Sequence, residues 1–291
     1  MSRTTITRNP LYHRRHPLPA PPAPRSDPAA LDELPRILIG GTPVHLVDER
    51  GARRVIARAM HDVDGPPLGV CSVNLDHVHH FAHTADRFDG AGPVRWLDLI
   101  DGAPVAAQAR RMTGTAYPRL AGSDIITGIL DDLAVAGLSL GVVGGGAEVT
   151  GPLRERLAAG WPGLRFAGHW TPPRAQLESA AGCHDLAADV RAARANAVLV
   201  CLGKPRQERW IAEYGALTGA RGLFAFGAVV DFLAGRMSHA PRWVAAAHAE
   251  WLWRLALEPR RLARRYLVEG PPAYLAVRAS GASPSERGPS T

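Results

Sequence analysis

Residues 138–160 read LSLGVVGGGAEVTGPLRERLAAG. The first six are an apolar run of strand length, 138–143. Three glycines follow, Gly144, Gly145 and Gly146, and then a helical stretch over 148–159. Strand, tight turn, helix is the repeating step of an α/β protein, and the chain takes that step again and again. Further strands are predicted at ILIGG with PVHLV, GVCSV (69–73), VRWLDLI (94–100), LRFAG (164–168), AVLVCL (197–202) and LFAFG (223–227). Helices are predicted over 46–61, 75–86, 104–113 and 206–215. Alternation of this kind calls for right-handed crossovers and a mostly parallel sheet with helices on both faces, a Rossmann-like α/β fold.

The 291 residues suffice for a sizeable core. The net charge of +7 is uneven. Residues 1–30 hold five Arg and one Asp, and residues 242–291 hold eight Arg and four Glu, so the stretch between them is close to neutral. Basic ends on a neutral middle point to a local anionic partner, a phosphate or a charged membrane, rather than a nucleic-acid surface, for which there is no motif or aromatic platform. Lys204 is the only lysine. Cys71, Cys183 and Cys201 are odd in number and far apart, and read as buried thiols in a reducing compartment. With no long apolar run and no apolar leader, a cytoplasmic protein is expected. Proline density over 1–33 and the composition of the C-terminal tail predict disorder at both ends.

In parallel sheets ligands bind at the carboxyl ends of the strands. Five of those ends carry small or polar residues: Ser72 and Asn74, then Asp101-Gly102, then the three glycines, then GKPRQERW after 202, then Ala228 and Asp231. Gly144 and Gly145 suit a phosphate or diphosphate at a helix N-terminus, and equally a tight turn. Asp101 suits a general base, and equally a helix N-cap before Ala103-Pro104. Asp62-Val63-Asp64 has the form of a metal clamp but precedes a strand, at the wrong end of the sheet. His79 and His83 are four apart on a helix, with no Glu or Cys nearby to complete a zinc set.

Taken in order, SVNLD (72–76), DGAPV (101–105), RLAGSD (119–124), VVGGG (142–146), LGKPRQERW (202–210), FGAVVDFLAG (226–235), APRW (240–243) and EWLWRLALEPRRLARRYL (250–267) resemble the WecG/TagA/CpsF glycosyltransferases over roughly residues 36–270. Those enzymes attach the second sugar to a lipid-linked carrier in bacterial envelope polymers. The resemblance implies inverting transfer of an N-acetylhexosamine-type sugar from a UDP-sugar donor to a polyprenyl-diphosphate-linked acceptor, with no cofactor and no divalent metal. Glucuronate or another hexose as the transferred sugar, and a catalytically degenerate UDP-sugar-binding scaffold, are the alternatives. It makes Asp101 the base and gives Arg119 the leaving diphosphate. Ser72, Asn74, Gly144, Gly145, Gln207 and Asp231 fall at substrate positions. Ser72 stands where the family has Thr, and Asp76 where Glu is common.

The resemblance also makes the C-terminal segment an appendage that meets the membrane and closes the active site. Pro259 divides it into helices expected at about 243–257 and 259–268. Arg254, Arg261 and Arg264 are expected to reach the donor diphosphate, and the aromatic and basic faces to lie on an anionic membrane surface. The implied organisation is a leader 1–33, a core 34–241, an appendage 242–275 and a tail 276–291, peripheral on the inner face of the plasma membrane. Homo-oligomerisation is left open.

Overall fold

The structure is a computed structural model that describes residues 30–82, 92–236 and 263–281. Eight strands are found among them. Arg36–Ile39 (β1) and Thr42–His45 (β2) form an antiparallel hairpin. The other six are Leu68–Val73 (β3), Arg95–Ile100 (β4), Ser139–Gly144 (β5), Arg165–Trp170 (β6), Ala197–Cys201 (β7) and Gly222–Ala225 (β8). They make one sheet in the order β4-β3-β8-β7-β5-β6, with every pairing parallel. This is the α/β architecture expected from the alternation of runs.

The core divides by the parity of strand residues, because successive side chains leave opposite faces. Val70, Leu97, Leu99, Val142, Leu199 and Phe224 pack with α1 (Glu49–His61), α4 (Gly122–Val135), α5 (Thr150–Gly160) and α9 (Val229–Leu233). Cys71, Val73, Ile100, Val143, Val200 and Leu223 pack with α2 (Leu75–Phe81), α3 (Ala103–Thr113), α7 (Ala180–Ala192), α8 (Arg206–Tyr214) and α10 (Gly270–Ala279). A single turn, α6 (Arg174–Leu177), leads into α7. In α1 the buried residues Ala52, Val55, Ile56, Ala59 and Met60 repeat at three and four, and Asp48 caps the helix by accepting from the Gly51 N–H at 2.8 Å. Helices α4 and α7 go beyond those predicted from the sequence.

The C-terminal segment docks on the second face. Ala273 and Val277 are buried there. The Ser280 hydroxyl accepts from the Gly40 N–H at 2.7 Å, and its carbonyl accepts from Gln108 Nε2 at 2.6 Å. Helix α10 therefore runs through the expected boundary at 275/276, and residues 276–281 belong to the packed structure rather than to a tail. A 3-10 turn, Leu31–Glu33, likewise lies inside the expected leader. The helix predicted at 243–257, and residues 259–262 of that at 259–268, lie outside the described residues; 263–268 are helical, with a π-helical turn over Arg265–Glu269.

Candidate active site

The strand order places the five marked strand ends side by side, β4-β3-β8-β7-β5. At about 4.8 Å per strand, Asp101 and the glycine turn stand roughly 19 Å apart at the two ends of one row. That length suits an extended substrate.

At the β3–β4 end the ladder runs one residue further, with the Asp101 N–H donating to the Val73 carbonyl at 2.9 Å. Helix α3 takes Gly102, at φ +82°, as its N-cap, and no side chain caps it. Asp101 is therefore not the cap. Its Oδ2 accepts from Asn74 Nδ2 at 2.9 Å. Asn74 caps α2, its Oδ1 accepting from the His77 N–H at 3.1 Å. Ser72 is buried two residues before it, with no partner for its hydroxyl among the described residues. Arg119 is brought to the same end because the next residue, Leu120, donates its N–H to the Ile100 carbonyl at 2.6 Å.

The middle of the row is held by the turn after β7. Gln207 is buried, and its Nε2 donates to the Ala225 carbonyl at 2.8 Å and to Glu208 Oε1 at 3.0 Å. Its Oε1 and Glu208 Oε2 are buried without a partner among the described residues. Burial pushes the Glu208 carboxyl above its usual range, and Lys204 opposes the shift. Lys204 Nζ donates to the Ser72 carbonyl and, at 3.4 Å, to Asn74 Oδ1. The sequence singled out neither Lys204 nor Glu208, although both lie inside LGKPRQERW. Buried polar atoms are normally satisfied, so the orphaned oxygens on Ser72, Gln207 and Glu208 along one edge stand out there. Beside it a cavity of about 490 Å³ is lined by Leu177, Leu202, Lys204, Arg206, Arg209 and Trp210, among others. Its walls combine cations with apolar and aromatic surface.

At the far end, Gly144 and Gly145 have φ of +94° and +81°. A 3-10 turn, Ala147–Val149, stands between the glycines and α5, so they do not open that helix directly. The Glu148 carboxylate accepts from its own backbone N–H and pairs with Arg236, and these bonds hold it below the usual carboxylate range. Asp231 is half-buried on the short α9.

Arg264 is exposed and pairs with Glu269 at 3.0 Å. Arg254 and Arg261 lie outside the described residues, as does His83. Asp62 belongs to a turn before β3. Its Oδ1 accepts from the Gly65 N–H at 3.0 Å and its Oδ2 is 3.4 Å from Arg95, which holds it in a turn at the amino edge. Among the described residues one group could ligate an ion. Asp76, His80 and Glu269 place one ligand atom each within 4.8 Å of one another, with His80 Nε2 3.7 Å from Asp76. His80 thus has two acidic neighbours, and one of them comes from the far C-terminal segment.

The carboxyl edge of the parallel sheet thus carries a carboxylate, an arginine, amide groups and a glycine turn in one row. The chain matches the model of the glycosyl transferase WecG/TagA/CpsF family over residues 37–287, and it belongs to that family. It is similar to an N-acetylglucosaminyldiphosphoundecaprenol N-acetyl-beta-D-mannosaminyltransferase of Bacillus subtilis, 25% identical over 67% of this chain and 73% of the relative. It is also similar to the enzyme of the same description from Bacillus spizizenii, 26% identical over 57% of this chain and 62% of that relative.

Proposed function

We propose that this glycosyltransferase moves an N-acetylhexosamine-type sugar, with inversion, from a UDP-sugar to a polyprenyl-diphosphate-linked sugar, and that no divalent metal takes part in the reacting step. The observation that carries this reading is the Asp101 carboxylate. One oxygen is bound to Asn74, and the other has no bond among the described residues. An acceptor hydroxyl bonded to that second oxygen would lose its proton to Asp101 as its oxygen attacks the anomeric carbon. The bond from that carbon to the diphosphate oxygen breaks on the opposite side, and the UDP leaves as an anion. Arg119, carried to the same strand end by the Leu120–Ile100 bond, supplies a cation for the diphosphate. The glycine turn serves the rest of the nucleotide. The acceptor class is supported by the names of the Bacillus relatives.

A peripheral membrane location is supported by the C-terminal segment. Leu267, Val268, Tyr274 and Leu275 are exposed large apolar residues along it, beside the exposed Arg264 and Arg278. Apolar stripes with flanking arginines suit a lipid interface. Among the described residues no helix is long and apolar enough to cross a membrane.

The test is UDP release from a panel of UDP-sugars with a short-chain lipid-diphosphate-GlcNAc acceptor, in EDTA, with and without anionic vesicles. Release from one donor, stimulated by vesicles, is the expected result. UDP binding with no release on any acceptor would leave a nucleotide-sugar-binding scaffold instead.

A further inference from the structure

We propose that Lys204 is a positioning residue for the transfer. It fixes the Asn74 amide so that its NH2 faces Asp101. This rests on the reading of Asp101 as the base.

The amide orientation follows from the donors around it. Asn74 Oδ1 faces the His77 N–H at 3.1 Å and the Lys204 ammonium at 3.4 Å. An amide turned the other way would point its own N–H groups at these two donors and its oxygen at a carboxylate. Every contact would then be repulsive. Lysine suits the place because its three N–H groups diverge. Three oxygens surround it: the Ser72 carbonyl, Asn74 Oδ1 and, at 4.0 Å, Glu208 Oε1. A planar guanidinium fork cannot serve three such directions at once. The side chain is 10% exposed, so the charge is poorly screened. Lys204 also joins the end of β7 to the end of β3, across β8. Titratable groups facing this network include Asp76 and His77 on α2, Cys71 on β3 and Glu208 on α8. Burial lowers the His77 pKa, with Lys204 adding to the effect, so His77 is neutral. Lys204 is thus the cation bonded to Asn74, and the chain has no second lysine to replace it.

The experiment compares Lys204→Met, Lys204→Gln and Lys204→Arg with the parent, and with Asp101→Asn. Initial rates are followed against donor concentration so that kcat and KM separate. In Lys204→Met and Lys204→Gln, kcat is expected to fall roughly 10- to 100-fold with the donor KM nearly unchanged, as for a misplaced catalytic group. Lys204→Arg restores only part of kcat, since it returns the charge without the geometry. An unchanged kcat in both neutral variants overturns the proposal. So does a loss confined to the donor KM. If Asp101→Asn keeps its activity, the base reading fails, while the kcat of the Lys204 variants still reports whether Lys204 acts on the transfer step.

Discussion

Asn74 Nδ2 lies 2.9 Å from Asp101 Oδ2, and the same Asn74 caps α2 through its other side-chain atom. One residue therefore performs a structural and a chemical task, and substitution can separate them. Asn74→Asp keeps an oxygen for the His77 N–H, because aspartate caps helices as well as asparagine does. It places a second carboxylate against Asp101. The expected outcome is loss of transfer by at least about 100-fold with a melting temperature close to the parent's, read by UDP release and calorimetry. Asn74→Ala loses the cap as well, and unfolding should show a deficit of about 1 kcal/mol.

Asp101→Asn tests the base directly. General-base catalysis is worth about 100- to 10,000-fold, and transfer should fall by that factor while UDP binding persists. Transfer within tenfold of the parent would remove Asp101 from the role.

Gly144 is required by geometry. Its φ is +94°, and a Cβ would stand 2.5 Å from the Cys201 carbonyl oxygen, a backbone atom of the neighbouring strand that cannot step aside. Gly144→Ala should cost roughly 3 kcal/mol in chemical denaturation, from the positive φ and the contact together. Gly151, in α5, has nothing within 4 Å of the same position. Gly151→Ala should stabilise by about 0.5–1 kcal/mol. Equal effects at the two sites would contradict this account of the turn.

His45 and Asp98 form a buried pair that is nearly silent to pH. The His45 Nδ1 accepts from the Asp98 N–H at 3.0 Å, so this nitrogen carries no proton, and the 3.5 Å approach of the carboxyl is not an ion pair. Burial first, and then Arg36, lowers the imidazole to about 4, and burial raises the Asp98 carboxyl to about 7. Between about pH 4 and 6.5 the folded pair carries one proton, on Asp98. The unfolded pair also carries one, on the histidine. Folding then takes up no net proton, and the pair contributes no slope. His45→Phe removes half of this balance. Asp98 alone binds more protons folded than unfolded, so the variant should lose stability relative to the parent as the pH rises from about 4 to 7, by roughly 3 kcal/mol. Denaturation midpoints across that range decide it; parallel curves for parent and variant would refute the assignment.

Leu267 and Leu275 are 63% and 67% exposed on the C-terminal segment, where neither supports the core. Replacing both with Ser should leave the melting temperature unchanged and weaken co-sedimentation with anionic vesicles at least about tenfold, by removing apolar burial at the interface. Unchanged sedimentation would move the membrane contact elsewhere.

Much of the fold was legible because β3, β5 and β7 are short apolar runs ending in a polar or glycine turn, a pattern set by burial on two faces. Helix α4 was harder to read. GSDIITGILDDLAV contains two glycines and three isoleucines, poor helix formers whose helix rests on packing, as with Gly128 against the Arg53 side chain. Helix α7 is alanine-rich, and its apolar face is marked by little beyond Cys183, Leu186 and Val190.

The sequence by itself determined the alternating α/β order, the polar strand ends and the family motifs that name Asp101, Arg119 and Gln207. Those are properties of local runs and spacing. Only the tertiary structure decided that Asp101 bonds to Asn74 rather than capping α3, that Lys204 reaches across from β7 to hold that amide, and that Glu269 meets Asp76 and His80. Each of these contacts joins residues from 27 to about 190 positions apart. Strand order brings them together, and strand order is fixed by how the two sheet faces are covered, which no local stretch of sequence encodes.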